Sequence, residues 1–281
     1  MGTLYIVGTP IGNLNDITLR ALETLRAVAL IAAEDTRRAG LLLKHFSIDK
    51  PILSLFEHNE AARVEPVLAA LETGDVALIS EAGMPGLSDP GYDLIRAAIE
   101  QGVRVMPIPG PTAAVTALVA SGLPTDAFVF VGFLPRRSAD RRRLLDEIAH
   151  ERRTLVAYEA PHRLAESLAD LQSALGDRPI AIARELTKLH EEIWRGSISA
   201  ALERFAGETL GEITLVIAGA AGPARWGEAE VRRALMQALD TGASTADAAR
   251  EVAALSNWSR RDVYHLALRV SHPGDNVDRS E

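Results

Sequence analysis

The stretch Leu4-Tyr-Ile-Val-Gly-Thr-Pro-Ile-Gly-Asn13 decides the fold. An aliphatic run long enough for a strand breaks into a loop stiffened by proline and loosened by two glycines. A segment with apolar residues at helical spacing follows. Residues 4–7 predict a strand, and Asn15 or Asp16 is then expected to cap a helix carrying Leu19, Leu22, Leu25 and Val28. Strand, glycine loop and helix in that order open an α/β sheet.

The alternation continues. Residues 28–32, 52–55, 76–79 and 103–108 read as further strands, and 37–45, 60–71, 92–101 and 112–120 as helices. Together they predict a mostly parallel sheet with helices on its faces. Ser121-Gly-Leu-Pro-Thr-Asp126 concentrates turn formers and predicts a linker. Beyond it, strands are expected near 128–132, 155–158, 180–183 and 213–218, with helices near 140–150, 162–175 and 199–205. After a second break at Gly219-Ala-Ala-Gly-Pro223 the pattern is helical until Pro273. The expected organisation is therefore an α/β domain at 1–122, a second at 127–220, a helical segment at 225–272 and a fraying tail at 273–281.

Composition agrees with a folded chain: 281 residues, 47% hydrophobic and 24% charged. The N-terminus lacks the basic and long apolar regions of a signal peptide, and no apolar run is long enough to span a membrane. The absence of cysteine excludes disulfides, iron–sulfur clusters and thiolate chemistry, and makes a cytoplasmic address the default. A net charge of −8 argues against general coating of nucleic acid, yet between Arg136 and Arg153 seven arginines face four acids.

Four loops are candidates for chemistry: Gly8–Asn13, Glu81–Gly91, Pro107–Thr112 and Ala183–Lys188. The first three each follow a strand and precede a helix, so they gather at the carboxyl edge of the sheet, where open α/β folds bind ligands. One such loop alone would be an ordinary turn. Gly8–Asn13 is not GxGxxG, no Walker motif exists, and Gly86-Leu-Ser-Asp-Pro90 has proline where a nucleophile elbow needs glycine. The histidines show no metal-binding spacing, so no metal is expected.

The runs LYIVGTPIGNLNDITLRALETL, AAEDTRRAGLLLKHF, ISEAGMPGLSDPGYDLI, PIPGPTAAVTALVASGLP, FVGFLPR, YEAPHRL and ARELTK resemble, in order, the tetrapyrrole-methylase superfamily. Within it they are most similar to the ribosomal RNA small-subunit methyltransferase I branch. The resemblance implies two α/β domains with S-adenosylmethionine in the cleft between them, a homodimer, and 2′-O-methylation of a cytidine in 16S rRNA on the 30S subunit. It places donor contacts on Thr9, Pro10, Glu81, Gly83, Met84, Leu87, Thr112, Ala113, Ala183, Arg184 and Thr214. The branch usually reads DAGTP where this chain has Glu81-Ala-Gly-Met-Pro85.

A ribose hydroxyl is a poor nucleophile and gains from a general base. Glu34, Asp35 and Lys188 are candidates, with His58, Glu60 and Glu185 also near strand ends; each is equally readable as a cap or salt bridge. Arg37, Arg136, Arg137 and Arg141 are candidate RNA contacts, although some arginines of the basic arm would simply solvate a surface helix. Ser244-Thr-Ala-Asp247 resembles a capping box, and a second helix starting at Arg260 and Arg261 makes a helix-turn-helix pattern, read either as an RNA contact or as a packing appendage. Two rival functions are C-methylation of a tetrapyrrole and non-catalytic RNA binding.

Overall fold

The computed structural model describes residues 1–56, 59–221 and 226–271. The chain forms two compact units, Met1–Gly219 and a second beginning at Ala220. The first unit contains two five-stranded sheets.

In the first sheet β1 (Thr3–Val7), β2 (Leu30–Ala33), β3 (Ile52–Ser54), β4 (Val76–Ile79) and β5 (Arg104–Ile108) lie in the order β3-β2-β4-β1-β5, every pair parallel. The connections are α1 (Leu19–Ala27), α2 (Thr36–His45), α3 (Glu60–Thr73) and α4 (Tyr92–Glu100), and α5 (Ala113–Ser121) follows β5. Helices cover both faces, so β4 is buried along its whole length and reads as a continuous apolar run. Ala21, Leu25 and Leu43 pack on one face, and Leu68, Leu71 and Leu94 on the other. The cap of α1 is Thr18, whose hydroxyl accepts the Ala21 N–H at 3.1 Å. Asn15 and Asp16 fall instead within a short 3-10 turn capped by Asn13. The second strand begins at Leu30 because Val28 still closes α1 through its N–H.

The second sheet is mixed. β6 (Phe128–Phe133), β7 (Thr154–Glu159), β8 (Pro179–Arg184), β9 (Glu192–Ser197) and β10 (Ile213–Ile217) take the order β6-β7-β10-β8-β9, with only β6 and β7 parallel. Along β10, Ile213, Leu215 and Ile217 face α6 (Ser138–Glu147), α7 (Leu164–Leu175) and α8 (Ile198–Arg204). Val216 points the other way, with Val156 and Ala181, and meets Ala114, Ala117 and Leu118 of α5. A helix of the first half thus covers the second sheet. The edge strand β9 is not legible in the sequence, because only Ile193 and Trp194 of its residues are strongly apolar. It fixes α5: the Arg195 guanidinium donates to the carbonyls of Ala120 and Ser121, at the end of that helix where a cation is favoured.

The second unit holds three helices, α9 (Glu228–Asp240), α10 (Thr245–Ser256) and α11 (Arg260–Ser271), around Val231, Leu235, Val252, Val263 and Leu266. Ser244 caps α10 and also donates to the Asp247 carboxylate at 2.7 Å, as the sequence pattern suggested. Asn257 ends it in the left-handed conformation, and Ser259 opens α11 by accepting the Asp262 N–H. The tail at 273–281 lies outside the described residues. Among the described residues no helix is long and apolar enough to cross a membrane.

Arg141 corrects the reading of the basic arm. Its side chain is 1% exposed and donates to Asp170 of α7 at 2.6 and 2.7 Å, while Arg142 and Ser138 engage the same carboxylate. It staples α6 to α7 and is closed to RNA. Removing one partner of a buried pair strands the other, so Asp170→Ala should lose about 3–5 kcal/mol of stability, read from denaturant unfolding.

Candidate active site

Three loops interlock at the carboxyl ends of β1, β4 and β5. Thr9 N–H donates to Gly83 at 2.8 Å and Gly83 N–H returns a bond to Thr9 at 3.1 Å, a two-residue bridge between the first two loops. The third loop closes on the first: a Cβ built on Gly8 would lie 2.7 Å from the Cα of Gly110. Only glycine permits backbones so close. The long second loop carries Gly83, Gly86, Ser88 and Gly91 at positive φ. Its exit is pinned by Glu60 of α3, whose buried carboxylate accepts the N–H groups of Gly91, Asp93 and Leu94 at the start of α4. The fourth loop turns through Glu185 and Thr187, both at positive φ, and packs on Gly12.

Between these loops and the second sheet lies a cleft of about 380 Å³. One rung of the second sheet supplies three of its wall residues, since Thr214 pairs with Tyr158 on one side and Ala183 on the other. Ile11, Ala82, Ala113 and Leu186 add an apolar lining, and Phe133 and Leu87 also border the cleft. The Tyr158 hydroxyl accepts the Ala114 N–H at 3.3 Å, tying the wall to the first turn of α5.

The charged lining is acidic: Glu34, Glu81, Asp89, Glu159 and Glu212. Glu159 is neutralised by Arg163, while Glu81 pairs with Arg38 on its outer side. Burial raises Glu34, partly offset by the Glu81 N–H that its carboxylate accepts at 3.3 Å. Asp89 is pushed up to about 7, chiefly by burial; the Ser80 hydroxyl opposes this, and the nearby Glu34 and Glu81 charges add to it. Two carboxyl groups with raised pKa in one cleft mark it as a functional candidate.

Of the expected residues, the structure brings Glu34, Glu81, Gly83, Met84, Leu87, Thr112, Ala113, Ala183 and Thr214 to the cleft. Thr9 and Pro10 are not in its wall. The Thr9 side chain is buried, and both border a separate cavity of about 200 Å³ with Leu14, Arg38, Leu41 and Leu42. Arg184 is turned away into an ion pair with Glu192 at 3.0 Å. Asp35 is the cap of α2, accepting the Arg37 and Arg38 N–H groups, which hold its carboxyl below the usual range. Lys188 is no base: burial favours loss of its proton, but Glu185 at 2.8 Å and Glu212 at 3.2 Å outweigh this and keep it charged. Glu60 is consumed as a cap, and His58 lies outside the described residues. Arg37, Arg136, Arg137, Arg260 and Arg261 are exposed. Asp89 is not singled out by the sequence, where it lies in the candidate loop Glu81–Gly91 beside an incomplete serine elbow; its signal is a carboxylate flanked by Ser88 and Pro90 in a strand-end loop.

Residues 3–202 match the family model described as tetrapyrrole (corrin/porphyrin) methylases. The chain is 48% identical to a protein of Synechocystis sp. named ribosomal RNA small subunit methyltransferase I, over 98% of this chain and all of that one. A protein of the same name from Thermotoga maritima is 50% identical over 78% of this chain and 99% of its own length. Among solved structures, a uroporphyrin-III-C-methyltransferase from Thermus thermophilus superposes with a TM-score of 0.57 at 22% identity, covering 78% of this chain and 94% of that one. The fold of two sheets with covering helices is therefore the family's own, and the chain belongs to the tetrapyrrole methylases, in their ribosomal RNA small subunit methyltransferase I branch.

Proposed function

We propose that this chain transfers the methyl group of S-adenosylmethionine to the 2′-hydroxyl of a cytidine in 16S rRNA, within the 30S subunit. The observation that carries this reading is the charge of the cleft. Five carboxylates line it; Glu81, Glu159 and Glu212 pair with Arg38, Arg163 and Lys188, which are not part of the lining, and among its described lining residues there is no lysine or arginine at all. Such a site favours a cation, and the donor carries a sulfonium and an ammonium. Its adenine suits the apolar wall of Ile11, Ala82, Ala113, Ala183 and Leu186, and a volume of about 380 Å³ lies in the usual range for small-molecule sites. Gly83, Met84, Leu87, Thr112 and Thr214 would complete the holding set, Thr112 while also capping α5. The names of the relatives support a ribosomal RNA acceptor and, with it, a cytoplasmic address.

When bound, S-adenosylmethionine supplies an electrophilic methyl group, and its transfer to oxygen breaks the carbon–sulfur bond and leaves one proton to be removed. Asp89 is the residue placed to take that proton. With a pKa of about 7 it is substantially ionised at neutral pH and basic enough to accept the proton of a hydroxyl as the new bond forms. The Ser80 hydroxyl beside it favours the ionised form. The loops would hold the acceptor and donor, and positioning them in line is worth up to about 7–11 kcal/mol. Arg37, Arg136, Arg137, Arg260 and Arg261 would meet phosphates. The homodimer belongs to the same reading, and the exposed Val115 and Val119 of α5 offer it an apolar surface.

The reading is tested by supplying labelled S-adenosylmethionine with 30S subunits from cells lacking the protein, or with tetrapyrrole precursors. Label should enter 16S rRNA at a cytidine 2′-oxygen; label in the tetrapyrrole alone defeats it. Glu34→Gln should weaken S-adenosylmethionine roughly fivefold while leaving S-adenosylhomocysteine, which keeps the ammonium but lacks the sulfonium charge, nearly unaffected, because a half-exposed charge pair is worth about 1 kcal/mol. Calorimetric titration separates the two, and equal losses would argue against a cation site. The sign of the pH dependence follows from Asp89, whose reactive form is the ionised one. The kcat/KM profile, which reports the free enzyme, should rise with pH up to about 7 and then level. Asp89→Asn should abolish that limb and lower kcat by roughly 10²–10⁴-fold.

A further inference from the structure

Strand β6 ends in a bulge. Phe130 pairs with Val156 and Gly132 with Ala157, so Val131 is an extra residue, and Gly132 takes φ +75°. In a regular strand residues 130 and 132 would share a face. The bulge shifts that set by one, and Phe133 joins Phe130 on the face of Tyr158. Both rings stand edge-on to Tyr158, with centroids at 5.1 Å for Phe130 and 5.3 Å for Phe133. Phe130 is packed in the core beneath α5, whereas Phe133 is 56% exposed and lines the cleft.

The same strand end runs beside the acid-bearing loop. A Cβ on Gly132 would lie 3.4 Å from the Ser88 hydroxyl, the residue before Asp89. Three and four residues beyond Phe133, Arg136 and Arg137 are exposed. The bulge therefore turns a rigid aromatic ring out of the core to line the cleft, on a strand end that lies against the loop of Asp89 and runs on to two exposed cations. That arrangement matches an unstacked nucleotide: ring for the base, carboxylate for the sugar hydroxyl, arginines for the flanking phosphates.

We propose that Phe133 is the stacking platform for the base of the acceptor nucleotide, which it holds with the ribose turned toward Asp89. The assignment rests on the ribosomal RNA reading for the identity of the acceptor, and on the bulge and the cleft for the role of the ring. Stacking is a ground-state contact, so its loss falls mainly on KM.

The test compares Phe133→Ala, Phe133→Leu and Phe133→Trp by two readouts. With 30S subunits as acceptor, kcat/KM should fall roughly 5- to 150-fold in F133A and F133L and recover in F133W, while calorimetric S-adenosylmethionine affinity and thermal midpoint stay at wild-type values. In the second readout, a single-stranded oligoribonucleotide whose only cytosine is the fluorescent pyrrolo-cytosine is titrated with protein loaded with S-adenosylhomocysteine. Wild type and F133W should quench it, F133A and F133L should not. Full activity in F133A, or F133L matching F133W, overturns the platform. Quenching by a wild type that leaves 30S subunits unmethylated keeps the platform and defeats the proposed function; no quenching by the wild type overturns the platform whatever the subunit assay gives.

Discussion

Two glycines in contact hold the cleft together. Gly8 and Gly110 approach so closely that a methyl group on either would overlap the backbone of the other. That contact locks the loop after β1 to the loop after β5, and the Thr9–Gly83 bridge adds the loop after β4. Because α5 begins three residues past Gly110, with Thr112 as its cap, the glycine contact also fixes where that helix points. The helix then covers the second sheet through Ala114, Ala117 and Leu118 and is closed at its far end by Arg195. The wall formed by Tyr158, Thr214 and Ala183 therefore faces the loops as an indirect result of a steric condition met at two residues.

Charge is distributed with equal economy. Most cations near the cleft are already occupied: Arg38 with Glu81, Arg163 with Glu159, Arg184 with Glu192, Lys188 with Glu185 and Glu212. These pairs take up Glu81, Glu159 and Glu212 of the lining, and the lining carboxylates given no ion pair among the described residues are Glu34 and Asp89, each lifted by burial. An acidic interior beside an exposed basic arm separates the place where a small cation would sit from the place where a polyanion would lie.

The first sheet was legible from sequence because parallel strands buried on both faces read as unbroken aliphatic runs, as β4 does. The edge strand β9 was not, since an outer strand needs only one apolar face and here spends Arg195 on a helix end. Backbone-driven features, the glycine loops, could be recognised because glycine and proline have few other reasons to cluster. Side-chain roles were harder. Asp35 and Glu60 look like bases and serve as caps, Arg141 looks like an RNA contact and is buried, and Asp89 was hidden in a loop weighed for its serine. A carboxylate's role depends on which N–H groups or cations lie across the fold from it, and a linear pattern does not carry that.

The strand order of the second sheet has a consequence for assembly. β10, the last strand to be synthesised, lies in the middle, between β7 and β8, and both of its neighbours reach it in antiparallel register. Until Ile217 has left the ribosome, β7 and β8 have no strand to join them, and α5 lacks the middle of the sheet that it covers. Both halves close through contacts far apart in sequence, β1 with β4 and β5 in the first sheet and β7 with β10 in the second, and such contacts form slowly. The ligand cleft is therefore the last part of the first unit to come into being, since β10 supplies Ile213 and Thr214 to its wall, and a chain stalled before residue 213 would leave α5 without the central strand that it packs on.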